Sequence, residues 1–186
     1  MNVDLQKSTK IENIVASTKL SDFLDLNLIA EKLPDADYNR KRFPGIVIRM
    51  DSPKLAALVF GSGKVVLTGA KSQEVLSGGL KNLIKILKPV YPDIPDDPMC
   101  NIQNMVISAD LGVHVNLNKI AMSLSLDKIE YEPEQFPGLV YRLDNPKTVV
   151  LLFGSGKLII TGGKSEEDAK QAVEIIYNNL HKLNLI

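Results

Sequence analysis

The chain is poor in cysteine: Cys100 is its single one. That excludes an intrachain disulfide and favours a reducing, intracellular setting. It also lacks an excess of charge. Its 22 Lys/Arg are balanced by 22 Asp/Glu, which argues against an ordinary, strongly basic nucleic-acid-binding domain. Long apolar runs are missing. The longest strongly apolar one is about Thr148–Phe153, far short of the ~20 residues that span a bilayer, so no membrane partner is expected. Met1-Asn-Val-Asp-Leu-Gln-Lys7 has no apolar core and does not read as a secretory signal. Histidine is confined to His114 and His181. With one cysteine beside them, neither a zinc spacing nor a nucleophile–base pair emerges. The carboxylates are scattered, with Asp96-Asp97 between apolar segments and Glu166-Glu167-Asp168 at a helix start, where acids suit the dipole. No metal, cofactor or catalytic residue is expected, and the chain does not read as an enzyme.

What the chain has is material for a core. Its 186 residues are 45% apolar, enough for one large domain or two small ones. The charge is unevenly spread. Residues 1–92 hold 14 Lys/Arg and 9 Asp/Glu, a balance of +5; residues 93–186 hold 8 and 13, a balance of −5. Such asymmetry suggests two differently charged surfaces and two kinds of partner.

The strongest signal is an internal repeat. Phe43-Pro-Gly-Ile-Val-Ile-Arg49 matches Phe136-Pro-Gly-Leu-Val-Tyr-Arg142, Leu58-Val-Phe-Gly-Ser-Gly-Lys64 matches Leu151-Leu-Phe-Gly-Ser-Gly-Lys157, and Thr68-Gly-Ala-Lys-Ser72 matches Thr161-Gly-Gly-Lys-Ser165. Between 43–74 and 136–167, 19 of 32 positions are identical, so chance does not explain the match. Ile11-Glu-Asn-Ile-Val15 likewise matches Ile102-Gln-Asn-Met-Val106. Two repeats are expected, 1–92 and 93–186, related by a pseudo-twofold. The proline-rich stretch Pro89–Pro98 is the expected linker.

Within the first repeat, residues 11–18 alternate as a strand and 25–33 suggest a short helix opened by Asp25. Residues 45–51, 55–60 and 64–70 read as a meander of hairpins. Residues 73–88 carry Val75, Leu76, Leu80, Leu83, Ile84 and Leu87 on one helical stripe, matched later by Ala169, Ala172, Val173, Ile176, Leu180 and Leu183. The fold class is α+β, an antiparallel sheet with helices on one face. Both faces of the sheet are apolar. Ile14, Val59, Val65 and Leu67 lie on one; Asn13, Val15, Leu58, Phe60, Lys64, Val66 and Thr68 on the other, with Val47 and Arg49 across the hairpin. The helices suffice for one face only, so a partner should cover the second. Apolar at its centre and basic at its edge, that face suits a DNA minor groove. Gly61-Ser-Gly-Lys64 is not a phosphate loop, because Leu58 and Val65 stand where that motif needs Gly and Ser/Thr.

These paired motifs resemble the TATA-box-binding protein family over nearly the whole chain from about residue 10. With no long stretch before the first repeat, the sequence is most similar to the archaeal type. The resemblance implies a saddle with a curved antiparallel sheet of about ten strands and four helices on its convex face. It implies a general transcription initiation factor that binds A·T-rich promoter DNA, the TATA box, in the minor groove and recruits transcription factor B and RNA polymerase, in the cytoplasm beside the nucleoid. It implies that Phe43, Phe60, Phe136 and Phe153 wedge into base steps and kink the DNA. Asn13, Asn104, Thr68 and Thr161 would contact base edges. Val15, Val106, Leu58, Leu151, Val66 and Ile159 would pack on bases and sugars. Arg42, Arg49, Lys64, Arg142 and Lys157 would meet phosphates. Arg42 has Gln135 as its repeat mate, so the two halves should grip phosphates unequally. The acidic loop with Glu132, Glu134 and Gln135 would bind transcription factor B. The alternative from another class is a carrier or scaffold that binds a lipid or a protein on the open sheet face.

Overall fold

The computed structural model describes residues 9–186; the segment Met1–Lys7, read above for a leader, lies outside the described residues. The chain forms two compact units, Asn13–Gln103, and Asn104–Ile186 together with residues 9–12.

In the first, β1 (Lys10–Lys19) is followed by α1 (Leu26–Lys32), β2 (Ile46–Asp51), β3 (Lys54–Val59), β4 (Lys64–Ala70) and α2 (Gln73–Leu87). The strands pair antiparallel in the order β2-β3-β4-β1. Alternation sends Ile46, Ile48, Met50, Leu55, Ala57, Val59, Val65 and Leu67 to one face, all buried. Leu76, Leu80, Leu83, Ile84 and Leu87 of α2 are buried as well. Each such aliphatic side chain contributes about 1.5–3 kcal/mol. Asp25 caps α1 by accepting from the amides of Asn27 and Leu28, and Ser72 caps α2 by accepting from the Val75 amide.

The second unit repeats the plan with β5 (Asn101–Asp110), α3 (Leu117–Ser123), β6 (Ile129–Glu130), β7 (Leu139–Asp144), β8 (Lys147–Leu152), β9 (Lys157–Thr161) and α4 (Glu166–Lys182). Its order is β6-β7-β8-β9-β5. Leu139, Tyr141, Leu143, Val150, Leu152, Leu158 and Ile160 form its buried face with Ala169, Ala172, Val173, Ile176 and Leu180 of α4. A capping box closes the N-terminus of α4, where Ser165 and Asp168 satisfy each other's backbone amides. The Lys164 amide, donating at 2.9 Å, is the main reason the Asp168 carboxyl titrates below its ordinary value.

The described residues contain nine strands and four α-helices, against about ten strands expected. The difference lies in the segment before Phe43. Where the second unit has β6, the first has one isolated bridge, Asp37 to Val47. Leu183, placed on the α4 stripe from sequence, is instead the C-cap residue and 42% exposed. The stretch 89–98 has no helix or strand, as its prolines dictate, but it is anchored: Ile94 is buried and the Tyr91 hydroxyl accepts from the Asp25 amide at 2.6 Å.

Each Gly-Ser-Gly is a tight hairpin turn braced by the loop that follows the unit's first strand. Leu20 and Leu24 donate to the carbonyls of Gly63 and Gly61, both at 2.9 Å. Gly63 has φ +77°, and a Cβ there would lie 1.8 Å from the Ser21 carbonyl oxygen. Gly61 would meet only the Leu24 oxygen, at 3.6 Å. Gly63→Ala should therefore cost about 1–3 kcal/mol, while Gly61→Ala should stay within about 0.5 kcal/mol. Chemical unfolding of the two variants beside the parent checks this; equal effects would mean that backbone conformation does not govern the turn.

Candidate nucleic-acid interface

The sheet face that the helices leave open is built in the same way in each unit. In the first, Val47, Leu58 and Val66 stand opposite one another on β2, β3 and β4, and Ala56 faces Thr68. In the second, Val140, Leu151 and Ile159 do the same, and Val149 faces Thr161. With Val15 and Val106 from β1 and β5, all of these side chains are half-buried. Val140, Ala56 and Val149 were not singled out from sequence, although the strand parity that selected Leu58 and Thr68 selects them too.

At one end of each open face the phenylalanines meet. Phe43 and Phe60 pack edge to face with ring centroids 5.5 Å apart, and Phe136 and Phe153 at 5.9 Å. Glycine makes room for them. A Cβ on Gly45 would lie 2.8 Å from Phe43 Cε1, and one on Gly138 would lie 2.7 Å from Phe136 Cε1. The rings are neither core nor free: Phe43, Phe60 and Phe153 are half-buried and Phe136 is 37% exposed.

At the other end sit the polar pairs. Asn13 Nδ2 donates to Thr68 Oγ1 at 3.1 Å, and Asn104 Nδ2 to Thr161 Oγ1 at 3.1 Å. Each Asn Oδ1 accepts a backbone amide at 2.7 Å, from Gly69 and Gly162 respectively. Both glycines have positive φ, +102° and +91°, which turns their N–H groups toward the asparagine. These bonds fix the turn of the amide, with Oδ1 on the glycine N–H and one Nδ2 hydrogen on threonine, and leave the second Nδ2 hydrogen as a donor without a partner among the described residues. No local pattern in the chain signals this lock.

The expected cations are all exposed, but they are not equivalent. Arg142 Nε and Nη2 both donate to Glu130 Oε1, at 3.2 and 3.1 Å. Its repeat mate Arg49 lies 3.9 Å from Asp37. Neither carboxylate was picked out from sequence, since each lies 12 positions upstream of its arginine and the strand fold alone brings it near. Lys64 and Lys157 open β4 and β9 beside the Gly-Ser-Gly turns. Arg42 lines a shallow hollow with Asp37, Asn39, Phe43, Gly45 and Val47. Glu132, Glu134 and Gln135 are exposed on the loop before Phe136.

Among the described residues no group of three or more His, Cys, Asp or Glu could hold a metal ion, and no helix is long and apolar enough to cross a membrane. Partial burial pushes the Cys100 thiol above its ordinary range, away from nucleophilic chemistry.

Paired α+β units, each with an apolar sheet face that its helices leave uncovered, define a class of duplicated sheet-and-helix protein. The chain belongs to the family described as transcription factor TFIID, or TATA-binding protein, which matches residues 8–90 and 99–183. It is 56% identical over 177 residues to the TATA-box-binding protein of Archaeoglobus fulgidus, covering 95% of this chain and 97% of that one. With the TATA-box-binding protein of Haloarcula marismortui it shares 53% identity, covering 99% of each. The solved structure of Methanococcus jannaschii TBP matches with a TM-score of 0.86 at 52% identity, over 94% of this chain and 99% of that one.

The ring geometry has a measurable consequence. Phe60→Ala or Phe153→Ala should cost about 1–2 kcal/mol, the loss of an edge-to-face pair and partial burial. A core phenylalanine would cost ~3–5 kcal/mol. Denaturant unfolding distinguishes the two, and a loss in the core range would place the rings in the fold rather than at its surface.

Proposed function

We propose that this protein is a general transcription initiation factor that binds the TATA box of promoter DNA through the minor groove, using the open sheet face of each unit. The observation that carries this reading is the pairing of half-buried aliphatic rows with amide groups locked as donors. A minor groove offers acceptors on A·T and T·A alike, and guanine adds a donor of its own. Outward donors set in an apolar surface therefore favour A·T over G·C. The repeats 1–92 and 93–186 would each serve half of the site.

Asn13, Asn104, Thr68 and Thr161 would contact base edges, with Val15, Val106, Leu58, Leu151, Val66 and Ile159 packing on bases and sugars. Phe43 with Phe60, and Phe136 with Phe153, would insert at the ends and kink the duplex. Unstacking a step costs a few kcal/mol, which the extra surface brought into contact offsets. Arg42, Arg49, Lys64, Arg142 and Lys157 would meet phosphates. The loop with Glu132, Glu134 and Gln135 would present acidic side chains to transcription factor B, and through it to RNA polymerase, in the cytoplasm beside the nucleoid. A lipid or protein carrier would use the aliphatic rows but has no need of the locked donors or the cationic rim.

Titration with a TATA duplex and a G·C-rich duplex of equal length tests the core of this reading. Binding should be at least tenfold tighter to the TATA duplex. In a FRET bending assay Phe60→Ala and Phe153→Ala should each reduce the bend. Equal affinity for the two duplexes would favour the carrier.

The partner loop has its own test. Glu132→Lys with Glu134→Lys should abolish the ternary complex with transcription factor B while binding to the TATA duplex alone persists, because reversed charges oppose a basic partner surface. An unchanged ternary complex in a supershift assay would remove the loop from that contact.

A further inference from the structure

The two loops that precede the Pro-Gly phenylalanines share a backbone and differ in charge. In the first unit the amides of Arg42 and Phe43 donate to the Asn39 carbonyl at 2.9 and 3.0 Å; in the second, those of Gln135 and Phe136 donate to the Glu132 carbonyl at 2.9 and 3.0 Å. The first loop reads Asn39-Arg-Lys-Arg42 and the second Glu132-Pro-Glu-Gln135. Three cations on one turn thus correspond to two anions on the other.

The cations of the first loop also lack an ion pair among the described residues, although Asp37 lines the same hollow as Arg42. Among the described residues no carboxylate lies within ion-pair distance of Arg40, Lys41 or Arg42, whereas Arg49 and Arg142 each have one. All three are exposed. The loop is held rather than loose, because Asn39 Oδ1 accepts the Lys41 amide at 3.1 Å in addition to the bonds on its carbonyl. Little backbone entropy remains to be lost there on binding.

Resting on the proposed DNA reading, we infer that Arg40 and Lys41 extend the phosphate contacts past the Phe43–Phe60 pair, so that the first unit is the electrostatic anchor on the duplex. The partner chemistry follows from position. A groove into which Phe43 inserts is walled by phosphates, and the run Arg40–Arg42 ends at that phenylalanine. The second loop offers its own phenylalanine pair no such grip, since Glu132 and Glu134 repel phosphate.

The test is stopped-flow and equilibrium binding to one TATA duplex over a potassium chloride series. It compares the parent chain, Arg40→Gln with Lys41→Gln, and Lys81→Gln with Lys85→Gln. The last pair removes the same charge from the exposed side of α2. The loop variant should associate several-fold more slowly at low salt, and its log–log salt slope should be shallower by about 1–2, at ~0.9 per phosphate released from contact. The helix variant should keep the parent slope. A loop variant with the parent slope and rate would overturn the inference and leave the loop to an acidic protein partner. A helix variant that matched the loop variant would overturn it as well, since net charge alone would then account for the effect. A parent chain that binds the TATA duplex no better than the G·C one would bring down the proposed function, and this inference with it.

Discussion

A β-sheet has two faces, and a helix layer can cover only one. Everything distinctive in this protein follows from how that constraint is met. In each unit the strands are apolar on both sides, and α2 and α4 bury the side led by Ile46, Leu67, Leu139 and Ile160. The other side keeps Leu58, Val66, Leu151 and Ile159 half-buried. An apolar surface of that kind, ordered but uncovered, is stable only while polar atoms around it are satisfied and its large side chains stay off solvent. The edge-to-face phenylalanine pairs meet the second need in part, with Phe136 still 37% exposed. The asparagine locks meet the first.

On the proposed reading, the locks connect backbone conformation to recognition. Gly69 and Gly162 take up positive φ at the ends of their strands, and only there can the amide reach Asn13 or Asn104 at 2.7 Å. A side chain on either glycine would be strained, so the sequence Thr-Gly is a conformational requirement and not a spacer. The same bond that satisfies a backbone donor fixes the turn of the asparagine amide. On the proposed reading, structure and selectivity share one hydrogen bond.

Much of this was legible in the chain itself. The repeat in Phe-Pro-Gly, Phe-Gly-Ser-Gly-Lys and Thr-Gly-x-Lys-Ser located the meander, because alternation and turn glycines are local signals. The strand parity that grouped Asn13, Val15, Leu58, Val66 and Thr68 describes the face the structure leaves open. What escaped was non-local. Asp37 and Glu130 reach Arg49 and Arg142 only because strand pairing folds the chain back. Gly45 and Gly138 stood only as members of the Phe-Pro-Gly motifs, and their role as seats for aromatic rings needs the rings' positions. Tyr91 lay in a proline-rich stretch that read as a simple linker, and only the fold shows its hydroxyl against the cap of α1.

Direction remains the hard problem for such a protein, and its charge distribution bears on it. The minor groove shows A·T and T·A almost alike, and the two open faces carry nearly the same side chains. Neither surface can then state which way the site runs. On the proposed reading, direction has to come from positions where the repeats diverge, and the sharpest divergence is the pair of loops Asn39–Arg42 and Glu132–Gln135. Their backbones make the same bonds, so shape is not what separates them. Charge is, and it separates them in kind: one loop attracts phosphate, while the other repels it and stays available to a basic protein. Of the +5 and −5 carried by the two halves, these turns alone supply +3 and −2, opposite charges on a single duplicated turn.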